Sequence, residues 1–326
     1  MKIVFNIAGI LFFLCQLTGC NNISNKKELL TIDFQKDQPI RYKFVSSRDV
    51  EIQLRANENA SNPDSDEVDK FSESIELTMM YNPIEVKPYS LTTINAVCES
   101  IKLLKNSRES QGRDAAQNFS GKSFTFTVDP SGKISDYSEL NKLIRETGQK
   151  AFRTASAAGR IKEPDTINDF IATQWFLWDV VASIPKPSQG VSIGQTWTSK
   201  LLAPAPIVMR IARNVTYKLE EIRSTKEGRI AVIHSSYSLA DSVPKNWPVP
   251  YYGRFRVRGR FGLYRDYKVL NLHGQGEELF NIDKGRIEQY NQSYRMQIAA
   301  SLPFGLIDAT PQINIKQSLT MKLLEN

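Results

Sequence analysis

Apolar and polar residues alternate singly along much of this chain. That is the pattern of an extended strand, whose successive side chains point to opposite faces. The alternation predicts strands over Ile40–Ser46, Asp49–Arg55, Ser74–Tyr81, Ser90–Leu104 and Ser123–Val128. It resumes over Gln195–Leu202, Val208–Ile222, Arg229–Leu239, Arg254–Leu263, Lys268–Ile282, Arg286–Ala299 and Ile313–Leu324. Polar loops at 56–70 and 105–121 punctuate the first group. The first loop orders Asp64, Asp66 and Asp69 as D-x-D-x-x-D, without the turn glycine and distal glutamate of a calcium loop, and reads as a solvated segment.

Between the two strand groups the period becomes helical. Leu140, Leu143, Ile144, Ala151, Phe152 and Ala155 fall at helix spacing, with Asp136 and Glu139 placed as a capping box. Thr166 opens a second helix that Pro185 ends. Phe170, Ile171, Trp175, Trp178, Val181 and Ile184 form its broad apolar face. Such a face either packs on a sheet or lines an apolar cavity, so Phe170, Trp175 and Trp178 are candidate lining residues for an apolar ligand.

Two internal echoes bear on the fold. "FTVDPSGKI" (Phe126–Ile134) and "FNIDKGRI" (Phe280–Ile287) both read as strand, Asp/Gly turn, strand. "RYKFVSSRDVEIQL" and "TYKLEEIRSTKEGRIAV" each read as a strand pair opened by Tyr-Lys. The elements together predict an α+β protein, mainly antiparallel β. The sheet is a curved or half-barrel meander, open to an ancient duplication, with a central helical insertion.

The first residues change the picture from fold to destination. Lys2 gives a positive start, Ile3–Leu14 is an apolar run broken only by Asn6, and Leu17-Thr18-Gly19-Cys20 closes the segment. This is the layout of a secretory signal peptide, and its apolar run is shorter than the roughly 20 residues of a membrane span. The Leu-Thr-Gly-Cys order resembles the lipobox of bacterial lipoproteins. The resemblance implies that Cys20 carries diacylglycerol on its sulfur, that residues 1–19 are removed, and that the new amino group is acylated, as with palmitate. Acyl chains bury methylenes at roughly 0.8 kcal/mol each, enough for a lasting membrane anchor. An ordinary signal with a chance cysteine and a short uncleaved anchor are the competing readings. Asn21 and Asn22 stand where an Asp would favour the inner membrane. In a Gram-negative host the implied address is therefore the outer membrane, reached through the periplasm.

The chain then divides into a signal (1–19), a lipidated Cys20 with its tether (20–31), an N-terminal β half (32–136), the helical insertion (137–186) and a C-terminal β half (187–326). Without the signal 307 residues remain (326 − 19), room for one large domain or two moderate ones. The formal charge of +7 drops to +6 without Lys2, which suits an anionic surface without requiring one. Of three cysteines, Cys15 lies in the signal and Cys20 in the lipobox. Cys98 is left without a disulfide partner in the chain and reads as a small buried hydrophobe.

Arg254, Arg256, Arg258 and Arg260 occupy every second position of "GRFRVRGRF", with Phe255, Val257 and Phe261 on the opposite face. A guanidinium row suits the phosphates or carboxylates of lipid headgroups or of another acidic envelope polymer. It equally suits a solvated face paired to Glu220, Glu277 or Glu288. Nucleic acid is disfavoured, because the aromatics lie on the wrong face and the chain is secreted. Trp247, Tyr251 and Tyr252 sit among three prolines just upstream, as a membrane, glycan or partner contact or as packing across a barrel end.

Catalytic vocabulary is sparse. His234 and His273 both lie in predicted strands, and Ser235 lacks the glycines of a nucleophile elbow. No spacing suggests a catalytic residue, a metal site or a cofactor, and none identifies a protein partner. The expectation is a non-enzymatic protein.

"PKPSQGVSIGQTWTSKL" resembles a group of secreted or lipid-anchored bacterial proteins that share a Gly-x-x-Trp opening a strand. The matching residues are Gly132-Lys133-Ile134, Gly194 with Trp197, and Asp283 with Gly285. The resemblance brings no activity with it. Physically, Gly194 permits a tight turn and Trp197 anchors the core of the second half. The long meander with intervening helices is also similar, at the level of fold, to half-barrel lipoprotein carriers of the LolA, LolB and LppX type. The expected function is non-catalytic binding of an apolar, lipid-like ligand or of an envelope component. A structural or interaction lipoprotein with a filled core is the alternative, and an unrecognised hydrolase a remote one.

Overall fold

The structure, a computed structural model, describes residues 27–56, 68–87, 91–106, 119–128, 134–136, 190–203, 211–243, 265–302 and 309–325. It also describes residues 117, 138–140, 142–143, 146, 160–161 and 256–257. The strands are β1 (Ile40–Ala56), β2 (Val68–Val86), β3 (Thr92–Asn106), β4 (Ser123–Val128), β5 (Ile134–Asp136), β6 (Arg160–Ile161) and β7 (Thr196–Leu202). They continue with β8 (Ala212–Thr225), β9 (Gly228–Leu239), β10 (Arg256–Val257), β11 (Arg265–Asn281), β12 (Arg286–Ser301) and β13 (Ala309–Leu324). Eleven of these form one open, curved sheet in the order β5-β4-β3-β2-β1-β13-β12-β11-β9-β8-β7. Every pairing in it is antiparallel. β6 and β10 form a separate parallel pair.

Strands β1–β5 supply one wing of the sheet, β7–β9 with β11–β13 the other, and β1 joins β13 at the seam. The strands are long, 17 residues in β1 and 19 in β2, against a usual five or six. Bulges bend them. The register slips between Thr78 and Met79 on β2, between Leu219 and Glu221 on β8, and between Leu279 and Phe280 on β11. An extra residue on one strand bends it and adds twist, which is how a sheet this wide curves.

The sequence reads Ser47–Arg48 as a break between two strands, whereas β1 runs through it without interruption. Tyr42, Phe44, Ser46, Arg48, Val50 and Ile52 all point to the buried face. Ser46 and Arg48 are polar members of that face, not a turn. The echo that made this segment a strand pair therefore does not hold, since only its counterpart, β8–β9, is a hairpin. The other echo matches hairpins on both sides, β4–β5 and β11–β12.

The core is the inward face of the sheet, with Leu77, Met79, Ile94, Ala96, Val215, Leu219, Phe280 and Ile298 fully buried. Cys98 belongs to it, as expected, and burial pushes its thiol up to about 12. Trp197 is half-buried and stacks on Tyr217, with ring centres 5.5 Å apart and planes 16° apart. Gly194 enters that strand with φ +83°, a left-handed conformation that favours glycine.

Residues 27–39 run as a strap along one rim. Glu28 pairs with Val191, the Asp33 N–H donates to the Gly285 carbonyl at 2.9 Å, and the Asp37 N–H donates to Pro83 at 3.0 Å. Arg229 ties the strap to the turn after β11, reaching Glu28 at 2.9 Å and Asp283 at 2.8 Å.

Of the first predicted helix, residues 138–140, 142–143 and 146 are described and helical. Asp136 caps it by accepting from the Ser138 N–H at 2.9 Å. Glu139 does not complete a capping box, because its carboxylate accepts instead from the Thr125 backbone N–H at 2.8 Å. The Thr125 hydroxyl, which donates to the same carboxylate, and that backbone bond together lower the Glu139 pKa. The lipobox with Cys20, the 57–67 acidic segment, Phe170, Trp175, Trp178, Trp247, Tyr251, Tyr252, Arg254, Arg258 and Arg260 lie outside the described residues. Of the arginine row, Arg256 is described in its backbone alone, paired with Arg160.

Candidate functional site: a polar belt on the buried face

Two adjacent rows of the buried face are polar where their neighbours are apolar. Register places Ser235, Gly276, Gln292, Leu319 and Ser46 side by side on β9, β11, β12, β13 and β1. The next row runs Tyr237, Gly274, Tyr294, Gln317, Arg48 and Glu73. Both rows reach the same face because their residues are spaced by two along each strand.

Hydrogen bonds join these groups into two networks. On the β13 side the Tyr294 hydroxyl donates to Gln317 Oε1 at 2.8 Å, and Gln317 Nε2 donates to Ser46 Oγ at 3.2 Å. Beside them Arg48, 1% exposed, pairs with Glu73 at 2.7 Å. On the β9 side the Tyr290 hydroxyl donates to Gln292 Oε1 at 2.6 Å. A phenol has one proton to give, so the Tyr237 hydroxyl, 2.9 Å from that of Tyr290, must donate to it. Ser235 in turn donates to Tyr237 across 2.7 Å. The Arg213 guanidinium stacks over the Tyr237 ring, 4.7 Å from its centre. Burial raises the Tyr290 hydroxyl well above its ordinary pKa, keeping the network protonated and neutral.

The two glycines of β11 make the crossing possible. A Cβ at Gly276 would lie 2.3 Å from the Tyr237 hydroxyl, and one at Gly274 would lie 2.3 Å from the Ser293 carbonyl oxygen and 2.6 Å from Tyr294 Cβ. The first obstacle is the tip of a side chain, but the second is backbone. Gly274→Ala is therefore expected to cost about 1–3 kcal/mol through overpacking. Urea unfolding would measure it, and an unchanged midpoint would show that β11 and β12 separate freely.

Two atoms in and beside the β9-side network are without hydrogen-bond partners. Glu278 is 3% exposed and its Oε1 makes no hydrogen bond. Gln292 is also 3% exposed, and its Nε2 makes none either. Burial raises the Glu278 carboxyl to about 8, so it is mostly protonated at neutral pH. Glu278 on β11 lies directly across from Tyr290, and Gln292 is two residues beyond Tyr290 on β12, so the two are diagonal neighbours roughly 7–8 Å apart. Apolar Ile233, Leu219, Met321 and Phe44 continue the row that holds Glu278 and Tyr290. The chemistry on offer is a neutral carboxyl and a carboxamide donor set into an apolar wall.

On the opposite face charges are mostly matched. Glu277 and Glu220, expected as partners of the arginine row, pair there with His234 at 3.1 Å and Lys218 at 2.7 Å, while Glu288, a third expected partner, accepts from the buried Asn281 and pairs with Arg286 at 3.2 Å. His234 and Ser235 are neighbours on one strand and point to opposite faces, so they form no nucleophile–base pair. Among the described residues no three His, Cys, Asp or Glu side chains converge to hold a metal ion. No described helix is long and apolar enough to cross a membrane.

None of the belt is marked by a motif. Ser46 ends one predicted strand, Arg48 falls in the break before the next, and Glu278 lies unmarked within the predicted strand Lys268–Ile282. The available signal was their parity: each keeps the two-residue step of the apolar positions flanking it.

The fold so defined is an open, curved antiparallel sheet with one buried face and one polar face. No protein-family model matches the sequence, and no curated protein matches it. Among solved structures the chain is similar to one described as lipid-protein interactions in lipovitellin, with a TM-score of 0.43 and 11% identity. That similarity covers 90% of this chain and 26% of the other, so the chain spans about a quarter of that structure's length.

Proposed function

We propose that this is a non-catalytic binding protein of the bacterial envelope, anchored by lipid at Cys20, that holds a lipid-like ligand at the buried face of its sheet. The observation that carries the reading is the pair of buried polar atoms without partners, Glu278 Oε1 and Gln292 Nε2, set among apolar side chains. An unmade buried hydrogen bond costs roughly 1–3 kcal/mol, and a ligand's ester or hydroxyl group would make both. Its acyl chain would meet the apolar positions flanking them. The anchor rests on the Leu17-Thr18-Gly19-Cys20 order, and with it the outer-membrane address.

Native mass spectrometry of the Cys20→Ser protein tests the binding arm. A co-purifying lipid mass is expected, lost on delipidation and absent from a Glu278→Leu/Gln292→Leu variant that stays folded. A clean apo mass from gently extracted protein would sink it. The same result would favour the alternative of an interaction protein with a filled core, for which the near-complete burial of Leu77, Met79 and Ile94 speaks. Intact mass of the wild-type protein tests the anchor, which predicts loss of residues 1–19 and a gain of acyl chains at Cys20.

A further inference from the structure

The polar face carries a charge arrangement that folding does not explain. Lys316 on β13, Arg295 on β12 and His273 on β11 lie directly opposite one another in register, all exposed. Lys316 and Arg295 are like charges, and like charges facing each other across neighbouring strands repel and destabilise a sheet. Elsewhere on the sheet cations face carboxylates: Lys43 meets Glu76 at 3.0 Å, Arg41 meets Glu99 at 2.7 Å, and Lys70 meets Glu51 at 3.3 Å. Lys316 and Arg295 have no ion-pair partner among the described residues. Asp49, which faces Lys316 from β1, forms no ion pair with it either.

Lys316, Arg295 and His273 line a groove of about 750 Å³, with Asp49 at its Lys316 end. The row beside them, Asn314, Gln297 and Asn271, is in register across the same three strands and lines the same groove. Neighbouring strands are about 4.8 Å apart, so each row presents three side chains over about 10 Å. A guanidinium and an ammonium side by side suit a phosphate, since the fork grips two oxygens while the point charge neutralises. Carboxamides offer a donor and an acceptor together, the match for a sugar's vicinal hydroxyls. The Lys70–Glu51 pair closes the amide row with no net charge.

We infer that this groove binds a phosphorylated sugar unit, its phosphate on Arg295 and Lys316 and its hydroxyls on Asn314, Gln297 and Asn271. The site lies on the face opposite the polar belt and stands whether or not the buried face holds a lipid.

Ligand-observed NMR titration of the full chain with glucose 6-phosphate tests it, with glucose and inorganic phosphate as separate arms. Saturable binding is expected, tighter than for either fragment. Arg295→Gln/Lys316→Gln should weaken it roughly tenfold or more, while the thermal midpoint falls not at all, and rises if the two charges repel. Lys322→Gln, an exposed cation on the same face but outside the groove, should leave it unaltered. The assignment falls if glucose 6-phosphate does not bind or if inorganic phosphate binds equally well. It also falls if Lys322→Gln weakens binding as much, or if phosphatidylglycerol vesicles bind through the groove and the sugar phosphate does not compete.

Discussion

Glu73→Ala is expected to destabilise the protein by about 3–5 kcal/mol, the largest effect of any single substitution proposed for this sheet. Glu73 accepts from the Arg48 guanidinium at 2.7 Å, and Arg48 is 1% exposed in the middle of β1. Removing the carboxylate takes this partner from a cation that cannot be deprotonated, in a place water does not reach. The expectation separates from a simple packing loss through a second variant. Arg48→Met/Glu73→Leu removes both charges while keeping volume, and should recover most of the stability. Urea unfolding of the two variants at one pH decides it. If the double variant loses as much as the single one, the ion pair is not the cause.

Stability is also expected to fall as pH rises, through Glu278. Its folded pKa, about 8, lies above the ordinary carboxyl value of 4.5. Below 4.5 both states hold the proton, and the protein has the full benefit. Between 4.5 and 8 the unfolded chain releases the proton while the folded one keeps it, so the folded state loses ground. Above about 8 both are ionised and the loss is complete. At about 1.4 kcal/mol per pH unit over this window the total is on the order of 5 kcal/mol. Glu278→Gln should remove most of this slope between about pH 5 and pH 9 in urea midpoints. An unchanged slope would assign the pH dependence to other groups. For the proposed binding function, the same proton keeps Glu278 a hydrogen-bonding acid in an apolar wall instead of a buried charge.

The sheet was legible in the sequence because its strands bury one face, and burial on one side writes itself as alternation. The wings on either side of the helical stretch, the turn at Gly194, the anchor at Trp197 and the inert Cys98 all follow from local rules of that kind. The belt was not legible for a physical reason. Arg48 and Glu278 are polar at inward positions, and a single strand shows no difference between a buried charge and the end of an apolar run. Glu73 makes Arg48 tolerable, and it arrives from another strand whose register no local pattern states. Tyr237 crosses to Tyr290 over a glycine 39 positions later in the chain (276 − 237), a relation visible once β9 and β11 are paired. The groove cations were hidden likewise, since Arg295 and Lys316 belong to different strands and neither stands out in its own segment.

The β1–β13 seam has a consequence for the order in which the molecule is made. Each wing is a meander whose strands mostly pair with sequence neighbours, so each has local contacts from which to start. The seam has none: Gln317 and Ser46, bonded across it, are 271 residues apart. Closing so long a loop is entropically unfavourable until both partners are ordered. The two wings are therefore expected to form first and zip together last along β1 and β13. Until that moment each carries an exposed edge with Ser46, Arg48 or Gln317 on its inward face, and those polar groups make the waiting edges less prone to join the wrong strand.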